Sequence, residues 1–206
     1  MDKQKAAADI LAKAIALAPF EGWNQLTLNK AAESAGYKRT DAIRVFPGGA
    51  VDAAERLMQF YDDAMVTALQ SYHLDTMKIR ERITTAVRLK LEIMQPDREA
   101  VRKILALMAL PLNCHKALKH LYQTVDTIWY EIGDTSTDFN FYTKRLLLAG
   151  VYSSTLLHWL DDKSLGHENT WAFLDRRIAD VMKIEKAKHF IKSGQFLSSL
   201  RKQGSH

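Results

Sequence analysis

The stretch TLNKAAESAGYKRTDAIRVFPGG, residues 27–49, decides the fold. Thr27 stands where it can cap a short helix running to Ser34, and AGYKRT (35–40) supplies a glycine-bearing turn. A second short helix follows to about Phe46, where Pro47-Gly48-Gly49 stops it. Two short helices joined this tightly make a helix–turn–helix unit. Upstream, Lys3 to Ala18 puts Ile10, Leu11, Ala14, Ile15 and Leu17 on one side of a first helix, with Pro19 beyond its end. Downstream, the 3.6-residue apolar period recurs over Val51–Tyr72, Lys78–Met94, Asp97–Leu110, His115–Ile132, a stretch ending at Leu160, and Glu168–Met182. No segment alternates as a strand does, so the chain reads as all-α, with nine or ten helices.

At 206 residues the chain is long enough for one domain with a real core. Its single cysteine, Cys114, rules out an internal disulfide framework and suits a reducing compartment. The N-terminus carries an acid at Asp2 and has Lys13 within its apolar stretch, unlike a signal peptide. LLLAGVYSSTLLHWL (146–160) is shorter than the roughly eighteen residues of a membrane span and reads as a buried helix. The net charge of +5 is confined to one end: residues 183–206 carry six bases and one acid, and the rest of the chain is neutral.

Chemistry is constrained by what is absent. No glutamate has a histidine three residues on, so the Glu-x-x-His pairs of a helical di-metal site are missing. His115 and His120 are five apart and do not share a face, while His158 with Asp161 or Asp162 reads as a solvated helix end. There is no phosphate-cradling glycine loop, nucleophile elbow or Cys-x-x-Cys pair. The side chains of Cys114 and His115 diverge at adjacent positions, so no catalytic constellation forms, and no metal or cofactor is expected.

GDTSTDFNFYTKR (133–145) is richer than a spacer. Gly133 can end one helix in the left-handed conformation, Ser136 or Thr137 can cap the next, and Asp138 suits its first turn. Phe139 and Tyr142 are expected to face the core and Phe141 to point elsewhere. Trp129 and Tyr130 are adjacent, so at least one aromatic of this corner should be exposed, as at an interaction surface.

WYEIGDTSTDFNFYTKR (129–145) resembles the signature of the ubiquinone-biosynthesis accessory proteins of the COQ9 family. MALPLN (108–113) resembles that family's Met-x-Leu-Pro-x-Asn turn, TWAFLDRRI (170–178) its Trp-x-Phe-Leu-x-x-Arg helix, and Gly22-Trp23 also fits. The resemblance covers about residues 5–185 and departs at Phe141, where Trp is common, and at Thr135, where Gln is common. The helix order is likewise that of a TetR-like protein. The resemblance implies a dimeric TetR-like fold without catalysis of its own. It also implies a pocket for isoprenoid lipids or quinone intermediates, and a partner, the di-iron demethoxyubiquinone hydroxylase, met through Trp129 and Tyr130.

Three parts are expected: a helix–turn–helix subdomain (1–48), a bundle with the lipid pocket (49–182) and a tail (183–206). An apolar ligand would be lined by Leu105, Met108, Leu112, Leu121, Val125, Ile128, Leu147, Val151, Leu156 and Leu174. The tail alternates apolar stripes with cations, the make-up of a helix lying on an anionic membrane. Its contacts would be Lys186, Phe190, Ile191, Lys192, Phe196, Leu197, Leu200 and Arg201. Such a protein is expected in the cytoplasm, peripheral to the inner face of the membrane, with no targeting peptide. The alternative is a TetR-family DNA-binding regulator with a lipid effector. Nucleic acid is not expected, because Lys38, Arg39 and Arg44 in 37–46 have Asp41 among them and residues 1–182 have no basic excess.

Overall fold

The structure, a computed structural model, describes residues 2–136 and 139–192, with side chains described at all of these except 139–140 and 184–192. Nine α-helices and three short 3₁₀ turns make up the regular structure among them. The chain divides into two compact units, one running to Arg145 and the other beginning at Leu146.

In the first unit, α1 (Lys3–Glu21), α2 (Gln25–Ser34) and α3 (Arg39–Val45) form the helix–turn–helix. α1 buries Ala6, Ile10, Leu11, Ala14 and Ala18 against α2 and α6. It runs two residues past Pro19, and Gly22 ends it with its N–H on Ala18 O at 2.9 Å. The cap of α2 is Asn24, whose Oδ1 accepts from Thr27 N at 3.0 Å. Thr27 is instead buried, and its hydroxyl donates to Gly22 O. Two long-range bonds fix the unit. The Trp23 indole N–H donates to Ala50 O at 2.8 Å, and the Tyr37 hydroxyl donates to Asp9 at 2.8 Å.

α4 (Gly49–Leu69) is the spine of this unit, and α5 (Ile79–Met94), α6 (Arg98–Met108) and α7 (Cys114–Glu131) pack on it. Its inward stripe is Ala54, Leu57, Met58, Tyr61, Met65 and Leu69. The buried Tyr61 hydroxyl donates to Asp97 at 2.6 Å, tying α4 to the start of α6.

The second unit holds most of α8 (Phe139–Asp161) and α9 (Glu168–Lys192). Trp159, Leu160, Leu174 and Ile178 are buried there, and His158 stacks on Phe173 at 4.6 Å. Asp162 is not at a solvated helix end: its carboxylate accepts from Ser164 N and from the Thr170 N–H and hydroxyl, at 2.8, 2.9 and 2.6 Å. Burial alone would raise its pKa, but these donors outweigh it and hold the group well below the usual carboxylate range. α9 does not stop near Met182. No glycine or proline interrupts the chain there before Gly194, and the helix continues to Lys192.

Candidate functional site

The corner between α7 and α8 is built from the end of α7 outward. Gly133 adopts φ +87°, a conformation open to glycine, and donates to Tyr130 O at 3.0 Å, while Asp134 N donates to Trp129 O at 2.9 Å. This pair closes the helix, and Arg82 of α5 covers the free Ile132 carbonyl at 2.8 Å.

Asp134, thereby fixed, accepts from Ser136 Oγ at 2.6 Å and from Lys144 Nζ at 2.7 Å, with Arg145 Nη1 at 3.4 Å. Burial opposes ionisation, but the Lys144 and Ser136 donors prevail and hold this carboxyl below its ordinary value. Arg145 is itself buried. Its Nε donates to Asp126 at 2.5 Å, and its guanidinium lies 3.3 Å from the centre of the Phe141 ring. That stacking reverses the expected facing of the aromatics: Phe141 is half-buried beneath Arg145, and Tyr142 is exposed. The Phe139 side chain, Thr137 and Asp138 lie outside the described residues.

The adjacent aromatics separate cleanly. Trp129 is 7% exposed, with Lys144 Nζ 5.3 Å from its ring centre, whereas Tyr130 is 76% exposed. The Trp129 ring therefore supports the corner from beneath, and Tyr130 is the ring that faces solvent. Trp129 Nε1 is buried with no hydrogen-bond partner among the described residues.

A second polar cluster lies in the core of the first unit. Lys90 on α5 donates to Asp62 on α4 and, at 3.0 Å, to the Thr124 hydroxyl on α7, which donates back to Asp62 at 3.0 Å. His120 Nε2 sits 3.4 Å from both Asp62 and Thr124. Its pKa is pushed down to about 4, first by burial and then by the Lys90 charge, against the opposite pull of Asp62 and Glu55. His120 is thus neutral near pH 7, and the ion pair belongs to Lys90 and Asp62. The periodicity carries a signal for this cluster. Lys90 falls inside the stripe Ile83, Val87, Leu91 and Met94, and Asp62 beside Met58, Tyr61 and Met65, where a charge needs a buried partner.

Of the proposed pocket residues in the first unit, Met108, Val125 and Ile128 are buried and Leu105 and Leu121 half-buried, but Leu112 is 84% exposed. Leu112 therefore lines no enclosed space: it stands at the tip of a turn. In the second unit Val151, Leu156 and Leu174 are buried and Leu147 half-buried. The tail candidates Lys186, Phe190, Ile191, Lys192, Phe196, Leu197, Leu200 and Arg201 lie outside the residues with described side chains. No group of three metal-ligating side chains comes together, and no helix is long and apolar enough to cross a membrane, among the described residues. On the helix–turn–helix, three cations sit beside acids: Lys30 pairs with Glu21 at 2.8 Å, Arg39 with Glu33 at 2.6 Å and Arg44 with Asp41 at 3.8 Å.

Comparison with known proteins gives a consistent picture. The COQ9 family model matches residues 114–185. The mitochondrial ubiquinone biosynthesis protein COQ9 of Rattus norvegicus is 31% identical over 194 residues, covering 89% of this chain and 61% of that protein. Its Homo sapiens counterpart is 29% identical, covering 89% of this chain and 60% of that one. The chain thus spans about three fifths of the length of these relatives. Among solved structures, a TetR transcriptional regulator from Nitrosomonas europaea superposes with a TM-score of 0.71 at 17% identity, covering 84% of this chain and 95% of that one. That likeness shows the fold alone. The chain is similar to COQ9 proteins over most of its length, and its fold is TetR-like.

Proposed function

We propose that the chain acts in ubiquinone biosynthesis as a non-catalytic, dimeric lipid-binding accessory protein. It takes up an isoprenoid quinone intermediate and presents it to the di-iron demethoxyubiquinone hydroxylase at a membrane surface. The observation that carries this reading is the α7–α8 corner. The match to COQ9 proteins runs through it, and there Tyr130 stands exposed on a base locked by Asp134, Lys144 and Arg145. An exposed aromatic on a preorganised support loses little entropy on docking, which suits a recognition contact. Buried apolar side chains within each unit are compatible with a lipid ligand, and the paired cations of α2 and α3 favour this reading over DNA binding.

Two measurements test it. Solvent extracts of gently purified protein, examined by mass spectrometry, should contain an isoprenoid quinone or its precursor; clean apo-protein purified without detergent counts against the lipid role. Tyr130→Ala should weaken capture of the hydroxylase at an unchanged melting temperature, and full capture by that variant would remove the corner from the interface.

A further inference from the structure

We propose that the α6–α7 corner is a membrane contact in its own right, seating Leu110, Leu112, Leu118 and Tyr122 among the headgroups of an anionic bilayer. It is separate from the basic tail and does not depend on it. Leu112 is 84% exposed and Leu118 65%, with Leu110 and Tyr122 about half in solvent. Leu118 and Tyr122 fall one turn apart on α7, on the same face as Cys114, so the turn and the first two turns of α7 present one apolar projection.

The backbone of this tip is largely self-satisfied. Asn113 N and Cys114 N both donate to Leu110 O, at 2.8 and 3.0 Å, and Leu110 N donates to Leu107 O at 3.3 Å. The Asn113 side-chain amide donates to Leu107 O at 2.9 Å, and Pro111 has no N–H. Such a tip can leave water while carrying few unpaired amides into the interface.

Charge selects the occupant. Residues 100–125 contain no Asp or Glu but hold Arg102, Lys103, Lys116 and Lys119. Glu99 pairs with Arg102 and Glu55 with Lys116, which leaves the corner positive overall. Cations around a projecting apolar tip are the pattern of interfacial attachment to anionic lipid. A protein partner would instead need a shaped socket for a projecting leucine.

Cys114 is the only cysteine of the chain, is exposed, and sits in this corner, so it takes a single environment-sensitive fluorophore. The full chain, labelled there, is mixed with vesicles of equal parts phosphatidylcholine and phosphatidylglycerol. The expected result is a blue shift with protection from a water-soluble quencher, reduced by salt and weak on phosphatidylcholine alone. Leu112→Glu with Lys119→Glu, both at exposed positions, should lower vesicle partition about ten-fold or more while the melting temperature holds. Protein that co-sediments with vesicles while its Cys114 label stays in water overturns the corner contact but leaves attachment through the tail. No sedimentation with any vesicle overturns both. A shift induced by the hydroxylase and by no vesicle reassigns the corner to a protein partner.

Discussion

Acidification is the sharpest probe of the buried cluster around His120. In the folded chain the imidazole is held neutral by burial and by the Lys90 charge, with its pKa lowered from 6.5 to about 4. The unfolded chain, with the ordinary value, takes up the proton first, so stability is complete above about pH 6.5 and falls as the pH drops toward 4. Each tenfold rise in proton concentration across that window costs about 1.4 kcal/mol, so descent to pH 5 removes about 2 kcal/mol and the whole window about 3 kcal/mol. For a domain of this size, 2 kcal/mol lowers Tm by about 4–8 °C. The groups facing the ring are Lys90, Asp62, Thr124 and, at longer range, Glu55. The assay is thermal or denaturant unfolding of the wild type and His120→Gln from pH 8 to 5, because glutamine cannot titrate. The wild type should lose about 2 kcal/mol more than the variant over this range. Equal slopes would refute the reasoning, and a wild type that gains on acidification would make His120 a charged partner of Asp62.

Three further perturbations probe the framework. Lys90→Met strands the Asp62 carboxylate in the core and should cost about 3–5 kcal/mol in denaturant unfolding. Adding Asp62→Leu should recover most of that loss, a coupling that a double-mutant cycle reads directly. Asp134→Asn should cost about 1–3 kcal/mol at neutral pH. Because the folded carboxyl lies below its ordinary pKa of 3.8, its contribution is present above that value and lost on further acidification, so the wild type and variant curves should converge there. Gly133→Ala keeps ordinary contact with Arg82 but must adopt φ +87°, and should cost about 1–2 kcal/mol in thermal unfolding.

The helices were legible because burial imposes the 3.6 period. Their ends were less so, because Pro19 is compatible with a last turn and because Asn24 outcompetes Thr27 as a cap. At the α7–α8 corner the glycine stop could be read locally, but Trp129 below and Tyr130 above could not. Both sides of α7 carry apolar residues, and the covering of Trp129 comes from residues distant in sequence, Lys144 of α8 among them. The Lys90–Asp62–Thr124 cluster joins three helices across separations of 28 and 34 residues. Its members look ordinary singly, and only their places within apolar stripes give them away. Leu112 shows the opposite failure: an apolar residue in a matching motif invites a core role, and the turn geometry turns it outward.

The acids beside the helix–turn–helix cations have a thermodynamic consequence. A surface that attracts a polyanion gains chiefly by displacing the mobile ions condensed on it, and so answers steeply to added salt. Glu21, Glu33 and Asp41 place fixed counterions beside Lys30, Arg39 and Arg44, part of the protein itself and impossible to release. A nucleic acid approaching this face would have to break those contacts, exchanging one pairing for another with little entropy gained. At these three positions the charge of the helix–turn–helix is already balanced within the chain.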